Sequence, residues 1–254
     1  MNLYYELLQK PVFTMNDVEK YYDNINSARS AIQRLKKEGL VVKIRNNLYT
    51  CINGQSGTTV ADKYQIACRI TDSSYISHHS AMEYHGFAHQ MYFEVYVSSD
   101  SEFKTFDFDG NTYRYIKPKI DIGIEKKEYS GGVTVTDIER TILDSIKDMD
   151  WISGVEEVIN CIDSIGRIDE DKLVRYLELY DNQFLYQKTG YLLSNNQKQL
   201  DLSDSFFSLC KEKSKNSIRY ISSDYKDGKF DSDWNLVVSD VIVQFQKDGE
   251  DSEI

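Results

Sequence analysis

SARSAIQRLKKEGLVVKIRNNLY, residues 27–49, is a helical pattern that runs into two short strand patterns. At about 100° per residue, Ala28, Ala31, Ile32 and Leu35 fall on one side of the helix and must face a core. Ser30, Gln33 and Lys37 fall on the opposite side, with Arg29 and Arg34 on its flanks. Asn26 or Ser27 stands where an N-cap is needed, and Gly39 supplies the left-handed residue that ends the helix. Val41-Val42-Lys43-Ile44-Arg45 and Leu48-Tyr49-Thr50-Cys51-Ile52 then read as strands, and Asn46-Asn47 between them suits a tight hairpin turn. Strict alternation would put Lys43 and Arg45 on one face of that hairpin.

Working back toward the amino terminus, Leu3, Tyr4, Leu7 and Leu8 recur at helical spacing until Pro11. Thr14 opens a second helix as N-cap, with Asp17 favourably placed near its positive end. Helix, helix, basic helix and basic hairpin, in that order, predict a winged helix-turn-helix over residues 1–53. Such a module places one helix in the major groove, where arginine suits guanine, glutamine suits adenine and serine accepts either. The expected DNA-contacting set is Ser27, Arg29, Ser30, Gln33, Arg34 and Lys37 on the helix, with Lys43, Arg45, Asn46 and Asn47 on the hairpin. The charge is distributed accordingly. The whole chain of 254 residues carries −11, but residues 1–53 hold eight Lys/Arg against five Asp/Glu. An acidic body with one basic end steers phosphate to that end. Without a long heptad helix, a monomer that pairs on an inverted repeat of double-stranded DNA is expected. The same module used for protein docking is the alternative reading.

The remainder predicts a mixed α+β body, so the fold class is α+β: a winged helix-turn-helix followed by a linking helix over 54–72 and a larger domain over 73–254. In that body SYISHHSAMEYHGF reads as a short helix stopped by Gly86, Asp109-Gly110 as a hairpin turn, and Thr136 with Glu139 as a capping box that starts a helix. Residues 234–246 read as a strand, and the acidic residues 247–254 as a tail. A hydrophobic fraction of 41% is enough for real cores. No leader-like start and no apolar run of about 18 residues is present, so a cytoplasmic protein without a membrane anchor is expected. Cys51, Cys68, Cys161 and Cys210 form no C-x-x-C pair and read as small buried side chains. His85 and His89 are four apart, but Gly86 separates them, so no metal site is assigned. Asp109 with Glu125 and Lys127 resembles the carboxylate and E-x-K set of metal-dependent nucleases, which gives an enzyme alternative. No phosphate-cradling glycine loop or nucleophile elbow occurs, so neither cofactor nor catalytic residue is assigned and the chain is read as a non-enzyme.

The order of several segments resembles the AbiEi-type antitoxins, the regulator halves of type IV, abortive-infection toxin–antitoxin systems. They are SAIQRLKKEGLVVKIRNNLY, SHHSAMEYHGF, VTDIERTILD, KTGYLL and DWNLVV, and they span most of the chain. One departure stands in the hairpin turn, where Asn47 replaces an expected glycine. The resemblance implies an autorepressor that binds inverted repeats in its own promoter. It also implies a second domain that neutralises a nucleotidyltransferase toxin in phage defence without a stable complex.

Overall fold

The computed structural model describes residues 3–128, 131–214, 217–223 and 227–248; the acidic tail lies outside these from residue 249 onward. In chain order the elements are α1 (Leu3–Leu8), α2 (Met15–Glu19), α3 (Ile25–Lys37), β1 (Val41–Arg45), β2 (Leu48–Cys51), α4 (Lys63–Ala67), β3 (Tyr75–Ile76) and α5 (His78–His85). There follow β4 (Glu94–Ser98), β5 (Phe106–Phe108), β6 (Asn111–Ile116), β7 (Ile124–Lys127), β8 (Val133–Thr136), α6 (Ile138–Asp148), α7 (Gly154–Asp163) and α8 (Glu170–Tyr180). The last are α9 (Gln183–Ser194), α10 (Gln197–Leu200), α11 (Asp204–Ser214), β9 (Arg219–Tyr220), β10 (Lys229–Asp231), β11 (Leu236–Val238) and α12 (Asp240–Asp248). The architecture is mixed α+β, as the sequence predicts.

The chain forms two compact units, divided differently from the sequence-based boundaries at 53 and 72. The first unit takes residues 1–76, 93–117 and 126–134, so the amino-terminal helices share a body with a sheet built from later segments. The expected linking helix shrinks to α4. Gly57 adopts a left-handed φ, and Asp62 caps α4 by accepting from Tyr64 and Gln65 N–H at 2.8 Å each.

Within this unit α1, α2 and α3 enclose a small core of Leu3, Leu7, Phe13, Val18, Ala28, Ile32, Leu35, Val41 and Cys51. Phe13, between α1 and α2, exchanges two backbone hydrogen bonds of 2.9 Å with Tyr49, which adds a bridge to the β1–β2 hairpin. Thr14 and Asp17 close a capping box at α2. Burial alone would raise the Asp17 carboxyl, but hydrogen bonds from Lys10 and from Thr14 outweigh it and hold the group at about 2. The cap of α3 is Asn24, whose Oδ1 accepts from Ser27 N–H at 2.9 Å, and not Asn26 or Ser27. Asn24→Ala should therefore cost about 1 kcal/mol of stability, read as a lower urea midpoint at unchanged slope. The six-stranded sheet runs β5-β6-β4-β3-β8-β7. Its β5–β6 turn is the expected Asp109-Gly110 pair, both at positive φ.

The second unit holds residues 77–92, 118–125 and 135–254. Ile142, Leu143, Ile146, Val158, Leu173, Leu177, Leu192 and Phe206 are among the apolar side chains of its core. A three-stranded sheet, β10-β11-β9, completes the unit. Residues 234–246 are not one strand: β11 stops at Val238, and α12 begins at Asp240 after Ser239, whose Oγ accepts from Ile242 N–H.

Candidate nucleic-acid interface

The face of α3 follows its sequence. Ala28, Ala31, Ile32 and Leu35 are buried, while Ser27, Arg29, Ser30, Gln33, Arg34 and Lys37 are exposed. Asn26, taken from sequence as a capping candidate, is also exposed, because Asn24 holds the cap. Among the described residues, Arg29, Arg34, Lys36, Lys37 and Lys43 form no ion pair with a carboxylate. Five cations therefore stand on or next to one helix with their charge available to a ligand. Neutral side chains between them, Ser30 and Gln33, offer donors and acceptors at the same level.

The hairpin departs from strict alternation. Its register slips between Lys43 and Arg45, a bulge that turns the two basic side chains into different surroundings. Lys43 is exposed. Arg45 is half-buried, with its guanidinium over Phe106 at 5.1 Å and Phe103 at 5.6 Å from the ring centroids. One of its terminal nitrogens is buried with no hydrogen-bond partner among the described residues. A guanidinium so placed is held by the ring faces and ties the hairpin to the sheet of its own unit. It does not share a face with Lys43.

Asn46 and Asn47 form the exposed two-residue turn. Asn47 takes the left-handed conformation, φ +56°, that the expected glycine would supply. It adds what glycine cannot: its Oδ1 accepts from Met15 N–H at 3.1 Å, satisfying an orphan donor at the start of α2. The hairpin tip is thereby fixed beside α2. A groove of about 450 Å³ is bounded by α2, α3 and the hairpin, lined by Met15, Glu19, Ile25, Arg29, Gln33 and Asn47, among others.

Other sequence candidates fall elsewhere. Asp109 accepts from the Thr59 hydroxyl at 2.7 Å and sits in the β5–β6 turn. Asp109 and Lys127 belong to the first unit and Glu125 to the second. His85 Nε2 lies 2.7 Å from Thr136 O and His89 Nε2 lies 2.7 Å from Ser164 Oγ, so these two are occupied separately, on either side of left-handed Gly86. His78 pairs with Asp148 at 3.0 Å; burial raises that carboxyl, but His78 and Lys147 beside it bring it below the usual range.

His79, Glu157 and Cys161 bring their ligating atoms within 4.8 Å of one another, all buried. Glu157 Oε1 also accepts N–H from His89 and Gln90 at 3.1 Å, which makes it the anchor of that loop. Burial and the adjacent Glu157 push the Cys161 thiol up, so it stays protonated and donates to that carboxylate. All four cysteines are free and buried. Among the described residues no helix is long and apolar enough to cross a membrane.

No family model and no curated protein matches the chain. Among solved structures it is similar to the RV2827C protein from Mycobacterium tuberculosis. The TM-score is 0.69 at 12% identity, over 97% of this chain and 92% of that one. At that identity the likeness is one of fold.

Proposed function

We propose that residues 1–53 are a winged helix-turn-helix that binds double-stranded DNA, with α3 entering the major groove and the β1–β2 hairpin as a short wing. The observation that carries this reading is the solvent face of α3. It presents Arg29, Arg34 and Lys37 without carboxylate partners among the described residues, around the hydrogen-bonding side chains Ser30 and Gln33. An amphipathic helix that only covered a core would gain from acidic partners at i,i+4, and α3 has none within its span. The wing contributes Lys43, with Asn46 and Asn47 at its tip; Arg45 serves as its tether. Two copies on an inverted repeat would match operator symmetry to protein symmetry.

The resemblance to AbiEi-type antitoxins gives this activity a setting: a repressor of its own operon whose second unit neutralises a nucleotidyltransferase toxin. Two of the segments that carry the resemblance, KTGYLL and DWNLVV, meet in one core of the second unit.

A mobility-shift titration over the protein's own promoter tests the DNA reading. With Arg29, Arg34, Lys36, Lys37 and Lys43 on phosphates, log K should fall with log salt at a slope near −4 to −5 per bound copy. That amounts to roughly a 500-fold loss between about 50 and about 200 mM salt. Arg34→Ala should reduce the slope by about one if it meets a phosphate, and relax specificity if it meets a base. Affinity that ignores both salt and the loss of Arg34 and Lys43 would reassign the module to protein docking.

A further inference from the structure

With Asn24 holding the cap, Asn26 is released to the surface, and its place on α3 gives it a role. At about 100° per residue, Asn26, Ser30, Gln33 and Lys37 lie within an arc of about 60°, centred opposite the buried stripe. All four are exposed. Among the described residues neither the Asn26 nor the Gln33 amide has a hydrogen-bond partner, so both carboxamides keep a free donor and a free acceptor. A planar amide with that pair matches the major-groove edge of adenine, which offers a ring-nitrogen acceptor beside an amino donor. Asn26 is also in the first turn of α3, and recognition helices direct their amino-terminal residues at base edges.

We infer that Asn26 and Gln33 each read an adenine, so that the target is duplex DNA with two adenines about three base steps apart in each half-site. The spacing follows from the helix. Seven residues rise about 10 Å, which equals about three steps of ~3.4 Å along one strand. Ser30 lies between them and tolerates any base at the intervening step, because a hydroxyl both donates and accepts. Lys37, at the carboxy-terminal end of α3, reaches the phosphates. This inference rests on the DNA-binding reading above.

The test begins with the full chain and a pool of random duplexes, from which bound DNA is recovered and sequenced. Each adenine of the enriched site is then replaced by deaza-adenine, in which the major-groove ring nitrogen is carbon while base pairing is kept. Two positions about three steps apart should each weaken binding by roughly 5- to 150-fold. Asn26→Ala should abolish the sensitivity at one of them and Gln33→Ala at the other, with thermal unfolding of both variants unchanged. An enriched site without such a pair overturns the inference and leaves DNA binding standing. So does a loss on deaza-adenine that persists in both variants. Recovery of no DNA above the starting pool overturns the DNA-binding reading, and the inference falls with it.

Discussion

Arg140→Ala is expected to cost about 3–5 kcal/mol of stability, although Arg140 and Asp144 stand at the i,i+4 spacing of an ordinary helix-surface pair. On a helix surface such a pair contributes about 0.3–0.5 kcal/mol. Here the arginine is fully buried and Asp144 is 3% exposed. The Arg140 Nε donates to Asp144 Oδ2 at 2.9 Å, and a terminal nitrogen donates to the Ile122 carbonyl. Tyr180 donates its hydroxyl to the other Asp144 oxygen, and burial together with that carboxylate pushes the phenol well above its ordinary range. Among the described residues, truncating Arg140 leaves a buried carboxylate with one neutral donor and a carbonyl with none, and the desolvation cost of both groups then stands uncompensated. Arg140→Met with Asp144→Leu removes both charges and keeps apolar volume. It should recover most of the loss, so the two sites are strongly non-additive. Urea unfolding of the two single variants and the double variant checks this. A single-variant loss below about 1 kcal/mol, or simple additivity, would show that water reaches the pair.

What the sequence discloses about this chain is what local chemistry decides. The buried stripe of α3, the stop at Gly86 and the Asp109-Gly110 turn depend on residues within one or two turns of each other, and the structure has them where the pattern puts them. Misplacements arise where two local solutions compete. Asn24, Asn26 and Ser27 can all cap a helix, and Asn24 prevails because its Oδ1 meets the N–H three residues on. Likewise Asp137, not Thr136, caps α6, accepting from Arg140 N–H at 2.9 Å. Glu139, read as the capping partner, instead accepts from Asp169 N–H at 2.8 Å, thirty residues away. Arg45 is the instructive case at the candidate site. Its fate depends on a bulge and on Phe103 and Phe106, partners too distant in sequence for any periodicity to reveal. The discontinuous first unit is illegible for the same reason: strands from three separate stretches complete it, and pairing across such distances leaves no local mark.

Gly190→Ala should destabilise the second unit by about 1–3 kcal/mol, against the sign that helix propensity alone gives. Alanine inside a helix gains about 1 kcal/mol over glycine, and Gly190 sits in the middle of α9. A Cβ there, however, would fall inside the van der Waals envelope of the Trp234 ring and lie 3.0 Å from the Cys210 Cβ. Neither neighbour can yield cheaply. Trp234 is buried, stands edge-on to Phe207 and has its backbone carbonyl gripped by Gln187 Nε2 at 2.6 Å. The same Gln187 nitrogen also donates to Ser217 and Asn235 carbonyls, so moving the ring disturbs the approach to β9 and β11 together. Overpacking of a rigid ring against a helix backbone therefore outweighs the propensity gain. A complementary change separates the two contributions. Trp234→Leu alone opens a cavity and should cost several kcal/mol, but in that background Gly190→Ala gains both its helix propensity and room to pack, so its sign reverses to stabilising. Measured as a double-variant cycle in urea, the coupling should be favourable by about 2–4 kcal/mol, the wild-type cost of about 1–3 kcal/mol plus the propensity gain of about 1 kcal/mol. If Gly190→Ala destabilises equally with and without the Trp234 ring, the glycine answers to some other constraint on α9.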